Sequence, residues 1–325
     1  MSMDLVTLKD IEAAAERIKD YAVHTPLLRC SALDEALGCE VYLKPEMLQT
    51  TGAFKLRGAA NSFMSLTEEM KEKGVICSSA GNHARACGTM GKLLGIKTVV
   101  VVPEDIPQAK LDAIKATGAE IHQTSRQGGM QQAKVEELVA QHGYESIHPT
   151  NDVRVIAGQG TVGLEIMQDL PDVDTILVPV GGAGLISGVG IAAKSINPKV
   201  KVIGIQAKAN DAYTQSWKAG KPVEASFAHT IADGLDCRIP GSICFPLAMK
   251  YVDEYVSVEE DVIHEAVRLV IKESKLMAEP SSCVGVAAIL GGLYKPQPGE
   301  KVAFVLTAGN WGIDRIGAIL KGEQL

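Results

Sequence analysis

No stretch of this chain approaches the roughly 18 consecutive apolar residues that a membrane-spanning helix needs. Its first residues, Met1-Ser-Met-Asp4, lack the basic-then-apolar pattern of an export signal. Positive charge is also scarce: the formal net charge is −7 and the pI is near 5.6. A nucleic-acid surface would need a basic stripe, so no nucleic-acid partner and no membrane partner are expected. The seven cysteines (Cys30, Cys39, Cys77, Cys87, Cys237, Cys244 and Cys283) show no C-x-x-C pair and no even framework. They read as buried reduced thiols, and the chain as cytoplasmic. The seven histidines are scattered without an H-x-x-x-H or a His/Cys cluster, so no metal centre is expected. No G-x-S-x-G elbow is present either, which argues against a serine hydrolase.

What is there is an ordinary globular composition, 46% apolar and 22% charged, over 325 residues. That length suits two lobes or one large α/β domain. Apolar spacing predicts a helix from Thr7 to Tyr21, a strand at Glu40–Lys44, and a helix opening at Thr51-Gly52 and running to about Met64. From about Gly74 strands and helices alternate. Strands are expected at Val75–Ser78, Lys97–Val102 and Glu120–Gln123, and helices at Asn82–Leu94, Gln108–Thr117 and Gly129–Gln141. A second series follows, with helices at Ala157–Gln168 and Gly184–Ile196 and strands at Thr175–Val180, Lys201–Ile205 and Lys301–Leu306. Such alternation means βαβ units and parallel pairing. The expected fold is therefore α/β, with two open, twisted, mostly parallel sheets flanked by helices. The small domain, 74–149, is expected as an insertion in a large one made of 1–73 and 150–325.

Three segments could carry chemistry. Thr51-Gly-Ala-Phe-Lys-Leu-Arg-Gly58 crowds Lys55 among small residues. A Schiff-base lysine must lose its proton, and the apolar Phe54 with the positive Arg57 nearby would favour that loss. A lone lysine on a helical pattern is otherwise usually solvated. Val180-Gly-Gly-Ala-Gly-Leu-Ile-Ser-Gly188 leaves a strand and enters a helix, as a phosphate-binding turn does. Its spacing is one residue from a dinucleotide fingerprint, but the following strand ends at Gln206 rather than at the acid that would hold a ribose. A phosphate cup is preferred; a nicotinamide site and a plain tight turn stay open. Cys77-Ser-Ser-Ala-Gly-Asn-His83 is a second strand-to-helix turn, suited to a carboxylate or phenolic oxygen. His83, without a partner at a telling spacing, reads as a cap or spacer.

Together these segments resemble the fold type II, tryptophan-synthase-β-like family of pyridoxal-phosphate enzymes, in its serine/threonine dehydratase and serine racemase branch. Thr51–Gly58 is similar to that branch's T-G-S-F-K-x-R-G, and Ser79-Ala-Gly-Asn-His83 to its asparagine loop. Ile156–Thr161, Thr230–Gly234 and Glu279-Pro-Ser281 are similar to further family segments, and the likeness runs from about Thr7 to Gly312. The resemblance implies that Lys55 binds pyridoxal phosphate as a Schiff base, over Phe54 and with Asn82 on the phenolic oxygen. It implies that Gly181, Gly182, Ala183, Gly184 and Leu185 cradle the phosphate. Gly234 would pass close to the ring and Thr307 would bond the pyridine nitrogen. A neutral hydroxyl there stabilises a carbanion less than a carboxylate would, which favours elimination. Ser79, Ala80, Asn82 and His83 would hold the substrate carboxylate, the amides of Ser79, Ala80 and His83 among them, and Lys55 would take the α-proton.

The expected activity is loss of water from L-threonine or L-serine, giving a 2-oxo acid and ammonia. A 3-hydroxyaspartate or other hydroxy amino acid and a serine racemase are the alternatives, and a catalytically silent binder is the rival from another class. Ala80 stands where racemases of the branch carry a serine, so racemisation is disfavoured. Gln206, Asn210 and Ala212 stand where metal-dependent members place acids, so no divalent cation is expected. Ala53 and Ala183 replace a serine and a glycine of the pattern. Trp311 has no account from sequence. No regulatory extension is expected, and a homodimer is expected by analogy.

Overall fold

A computed structural model describes residues 5–225 and 228–323. Its strands, in chain order, are β1 (Leu28–Arg29), β2 (Glu40–Pro45), β3 (Val75–Ser78), β4 (Thr98–Pro103), β5 (Glu120–Thr124), β6 (Glu145–Ser146), β7 (Thr175–Pro179), β8 (Lys201–Ala207), β9 (Glu254–Val258) and β10 (Lys301–Leu306). They form a six-stranded sheet in the order β1-β2-β10-β7-β8-β9 and a four-stranded one in the order β5-β4-β3-β6. β1 runs antiparallel to β2, and the other pairings are parallel. This is the α/β architecture of two mostly parallel sheets, the smaller falling between β2 and β7 of the larger in sequence.

Composition explains the strands. Thr98-Val-Val-Val-Val-Pro103 is buried along its whole length, which is what a parallel strand covered on both faces requires. β7 is buried in the same way, and so is β10 from Val302 onward. Sequence reading placed nothing at β1, β6 or β9. The first two are two residues long and too short to leave a periodic signal, while β9 carries charge and hydroxyl among its apolar residues.

Several helix ends differ from expectation, among them the start of Val153–Asp169 and the end of Leu8–Ile18, and one of them bears on the site. The helix carrying Lys55 spans Lys55–Met64, so the lysine is its first residue. Gly52 adopts φ of +72°, and Ala53 pairs with Ala308 as an isolated antiparallel bridge. Residues 51–54 are therefore held as extended backbone and turn, outside the helix. Leu56, Ala59, Ala60 and Phe63 pack in one apolar cluster with Val75, Cys77, Val100 and Val102. On the opposite face the helix crosses the Val153–Asp169 helix so closely that a Cβ on Gly158 would lie 2.6 Å from Arg57 O.

A buried ionic network lies behind this helix. Arg57, 1% exposed, donates to Glu46 Oε2 through Nε at 2.7 Å and to Glu165 Oε1 through Nη1 at 2.6 Å. Lys44 Nζ lies 2.6 Å from Glu165 Oε2 and donates to Thr25 O at 2.6 Å. Burial opposes ionisation of Glu46, but the Arg57 charge and hydrogen bonds outweigh it and hold the carboxyl below its usual range. Removing one member of such a network strands the others. Arg57→Met is expected to destabilise the chain by about 3–5 kcal/mol in urea denaturation. An unchanged midpoint would show that water reaches these groups.

Candidate active site

The carboxyl ends of β3 and β7 run into two of the segments singled out in the sequence, and that of β10 runs into Thr307. Ligands of open parallel sheets bind at such ends. Lys55 Nζ donates to Pro149 O at 2.7 Å and sits 5.2 Å from the Phe54 ring centroid. The residue keeps some exposure, yet its amine is enclosed by protein. Burial is the main cause that lowers its pKa to about 8, with only partial opposition from the thiols of Cys244 and Cys87. Arg57, two residues away and expected to contribute to this effect, has no part in it. That expectation is corrected: Arg57 spends its charge on Glu46 and Glu165, and desolvation depresses Lys55.

Next to Pro149, Thr150 meets the glycine loop. A Cβ on Gly182 would lie 2.6 Å from Thr150 Oγ1, and one on Gly184 would lie 3.0 Å from Thr150 O. The loop turns into the Gly184–Ile196 helix through Ala183, whose φ is +61°. A left-handed residue just before a helix start turns successive amides to one side, the arrangement that binds anions. Sequence reading had asked of Ala183 only a tolerable φ; the observed one lies where alanine is strained. The Leu185 side chain is core, so only its backbone is available to a ligand. Tyr213 OH donates to Gly182 O at 3.2 Å and braces the loop from behind.

The ring of contacts closes through Gly234 and Asn82. A Cβ on Gly181 would meet Gly234 O at 3.2 Å, and one on Gly234 would meet Ser281 Oγ at 2.8 Å and Glu279 Oε1 at 3.3 Å. Ser281 Oγ accepts from Gly234 N at 3.0 Å. Glu279 Oε1 lies 3.5 Å from Asn82 Nδ2, whose side-chain oxygen accepts from Asn310 Nδ2 at 2.8 Å. Thr307 Oγ1 is 3.0 Å from Ser282 Oγ, and Phe54 N donates to Thr307 O at 3.0 Å. The structure thus links Phe54, Lys55, Asn82, the glycine loop, Gly234 and Thr307 through one continuous series of close contacts.

The Ser79–His83 loop departs from expectation at the Ser79 amide. Ser79 N donates to Val101 O at 3.2 Å, continuing the β3–β4 ladder, and is not free for a carboxylate. Its hydroxyl accepts from Gly81 N at 3.3 Å. His83 turns its ring inward, with Nε2 3.2 Å from Ile147 O, and burial together with the Lys55 charge pulls its pKa to about 3. Its amide, in the first turn of the Asn82–Leu94 helix, stays without a helical acceptor.

Sequence reading missed several residues here. Pro149, Thr150 and Ser282 gave no signal, and Asn310 none for a role, since their positions depend on chain crossings. The expectation of no His/Cys cluster is also corrected. Cys77, His83 and Cys87 bring their ligand atoms within 4.8 Å of one another, near enough to Lys55 for its charge to act on His83. The four-residue spacing of His83 and Cys87 on one helix was the available hint. Glu279 lay in a quoted motif without a role. Burial first, then the Asp233 charge, raises its carboxyl to about 7, against the Asn82 hydrogen bond.

These residues fit pyridoxal phosphate: an enclosed low-pKa amine, an amide nest at a helix start, a side-chain donor at Asn82, and neutral hydroxyls at Thr307 and Ser282. Comparison with known proteins agrees. The family described as pyridoxal-phosphate dependent enzyme matches residues 18–308. The chain is 41% identical to the L-threonine ammonia-lyase of Thermotoga maritima, over 97% of this chain and 78% of that protein. It is likewise 41% identical to the serine racemase of Dictyostelium discoideum, over 98% and 99%. The solved structure of the maize serine racemase superposes with a TM-score of 0.93 at 33% identity, covering 98% of each chain. That of the threonine deaminase isoform 2 from Solanum lycopersicum, in its processed form, superposes with a TM-score of 0.91 at 33% identity, covering 98% of this chain and 92% of that one.

The Glu279 carboxyl gives a pH test. Its folded pKa lies above its unfolded one, so its protonated form contributes stability at low pH, lost as pH rises through about 7. In the cofactor-free protein, Glu279→Gln is expected to leave the Tm near that of the parent at pH 5 and to raise it at pH 8. A parallel shift at both pH values would remove Glu279 as the cause.

Proposed function

This chain belongs to the pyridoxal-phosphate-dependent enzyme family, and from that premise we propose that it eliminates water from a 3-hydroxy amino acid, L-threonine or L-serine. The observation that carries the reading is the enclosed Lys55 amine with its pKa near 8, set opposite a glycine-rich helix start. The similarity to a threonine ammonia-lyase and a threonine deaminase supports the same substrate class.

Pyridoxal phosphate, when bound, supplies an electron-withdrawing ring that acidifies the substrate Cα–H bond. Lys55 would hold it, Gly181, Gly182, Ala183, Gly184 and Leu185 would offer amides to its phosphate, and Asn82 would donate to its phenolic oxygen. Phe54 and Gly234 would border the ring, and Thr307 would face its nitrogen. At pH 7 a pKa of 8 leaves about a tenth of the Lys55 amines unprotonated, against about one in three thousand at the ordinary value of 10.5. Lys55 Nζ can thus accept the α-proton. The amides of Ala80 and His83, at or beside the start of the Asn82–Leu94 helix, orient the substrate carboxylate. Asn82 and the Ser79 hydroxyl border the same place. Loss of the α-proton and the β-hydroxyl as water, followed by hydrolysis, yields a 2-oxo acid and ammonia. Ala80 has no proton to give the opposite face, so elimination is favoured over racemisation.

Residues 74–149 form the small domain and 1–73 with 150–325 the large one in this reading, since the four-stranded sheet draws on residues 75–146 alone. A cytoplasmic homodimer is part of the same proposal, by analogy with the family. The deciding assay incubates the cofactor-loaded protein with L-threonine, L-serine and the 3-hydroxyaspartates, following 2-oxo acid and ammonia together. Both products are expected from threonine or serine, with turnover in Lys55→Ala down at least ~10³-fold. Ala80→Ser is expected to raise racemisation measured by chiral chromatography. Strong racemisation by the parent protein would overturn the elimination reading.

A further inference from the structure

Arg85, Asn310, Thr51 and Asn82 form a hydrogen-bond chain in which each side-chain amide has one orientation open to it. Arg85 follows Asn82 by three residues, so the two share a side of the Asn82–Leu94 helix. Arg85 Nη1 donates to Asn310 Oδ1 at 2.8 Å. A guanidinium has no acceptor, so Asn310 must turn its oxygen that way. On the other side Thr51 O, which can only accept, takes a hydrogen bond from Asn310 Nδ2 at 2.8 Å. The second hydrogen of that nitrogen goes to Asn82 Oδ1 at 2.8 Å. Reversing Asn310 would set donor against donor at Arg85 and acceptor against acceptor at Thr51. Its slot exists because Gly52 lacks a side chain: a Cβ there would lie 2.4 Å from Asn310 Oδ1.

Asn82 inherits its orientation from this arrangement. With its oxygen committed to Asn310, its NH2 group is left for the cleft, where it meets Glu279 Oε1 at 3.5 Å, long for a hydrogen bond. We propose that Asn310 is a positioning residue that fixes Asn82 as a hydrogen-bond donor toward the cofactor's phenolic oxygen, with Arg85 and the Thr51 carbonyl fixing Asn310 in turn. The inference rests on the reading of the cleft as a pyridoxal-phosphate site. An Asn82 turned the other way would present lone pairs to an oxygen that carries negative charge, and an attraction would become a repulsion. Asn310 itself touches neither cofactor nor substrate in this scheme.

The test is equilibrium binding of two ligands to the cofactor-free protein: pyridoxal phosphate, and its analogue lacking the 3-hydroxyl group. Asn310→Asp offers acceptors alone, so Asn82 would turn its NH2 toward it and its oxygen into the cleft. Pyridoxal phosphate binding is expected to weaken about 10- to 100-fold, the loss that reversing a charge-assisted hydrogen bond produces. The analogue, with no oxygen at that position, is expected to weaken by less than about threefold. Arg85→Met cuts only the outermost link and is expected to give the same selectivity at roughly two- to fivefold. It decides the matter if Asn310→Asp does not fold. Equal losses for both ligands, or no loss in a folded variant, overturn the positioning role and leave the family reading standing. A parent protein that binds neither ligand overturns the reading of the cleft itself.

Discussion

The site depends on how residues 51–54 dock against residues 307–310. Three hydrogen bonds make the joint: Phe54 N to Thr307 O and Gly309 N to Gly52 O, which together form the antiparallel Ala53–Ala308 bridge, and Asn310 Nδ2 to Thr51 O. β10 lies between β2 and β7, inside the larger sheet. A segment hydrogen-bonded to its end inherits the rigidity of that sheet. Lys55 begins its helix where this joint ends, so the lysine is placed by a strand far from it in sequence. Without the left-handed turn at Gly52 the segment would continue as helix, as its residue pattern suggests, and the amine would point elsewhere.

The second constraint is electrostatic. Arg57, two residues from Lys55, would be the obvious cation to depress it, but two buried carboxylates absorb its charge. What remains around the amine is apolar wall, backbone carbonyl and neutral thiol. Desolvation then acts on Lys55 and Glu279 in opposite directions, lowering the amine and raising the acid, because in each case it disfavours the charged form. The cleft accordingly holds its own charges weakly and leaves strong local fields to backbone amides at helix starts. Such a setting suits an anionic, conjugated ligand that brings its own charge.

Much of this was legible in the chain itself. Val75–Ser78, Asn82–Leu94, Gly184–Ile196 and Lys301–Leu306 fall where apolar periodicity puts them, because buried parallel strands and their crossover helices leave strong periodic signals. Lys55, Asn82, the glycine loop and Thr307 were legible as motif residues, since close backbone approach demands particular residue types at fixed spacing. Arg57 was misread because a positive charge in sequence says nothing about its partners: Glu46 and Glu165 reach it from a separate turn and a separate helix. The amide of Ser79 was misread for a related reason, since pairing of β3 with β4 extends one residue past the strand and uses it. The role of Asn310 was invisible because an amide's orientation is set by three partners that only the folded chain assembles.

Trp311, opaque in sequence, belongs to this assembly. It lies in the apolar cluster that also holds Leu306 and Ala278, with the Arg315 guanidinium 4.0 Å from its ring centroid. Directly after Asn310, a large buried ring anchors the backbone at the point where the amide chain needs a fixed end. The Lys55 helix supplies the other fixed end, since Leu56, Ala59, Ala60 and Phe63 are locked in the core around the smaller sheet. Lysine and asparagine therefore hang from two different cores and meet across the 51–54 and 307–310 joint. Asn82 shares the smaller sheet's core with Lys55, through Ala84, Ala86 and Cys87 of its own helix, so the joint between the two sheets is what brings Asn310 to the pair.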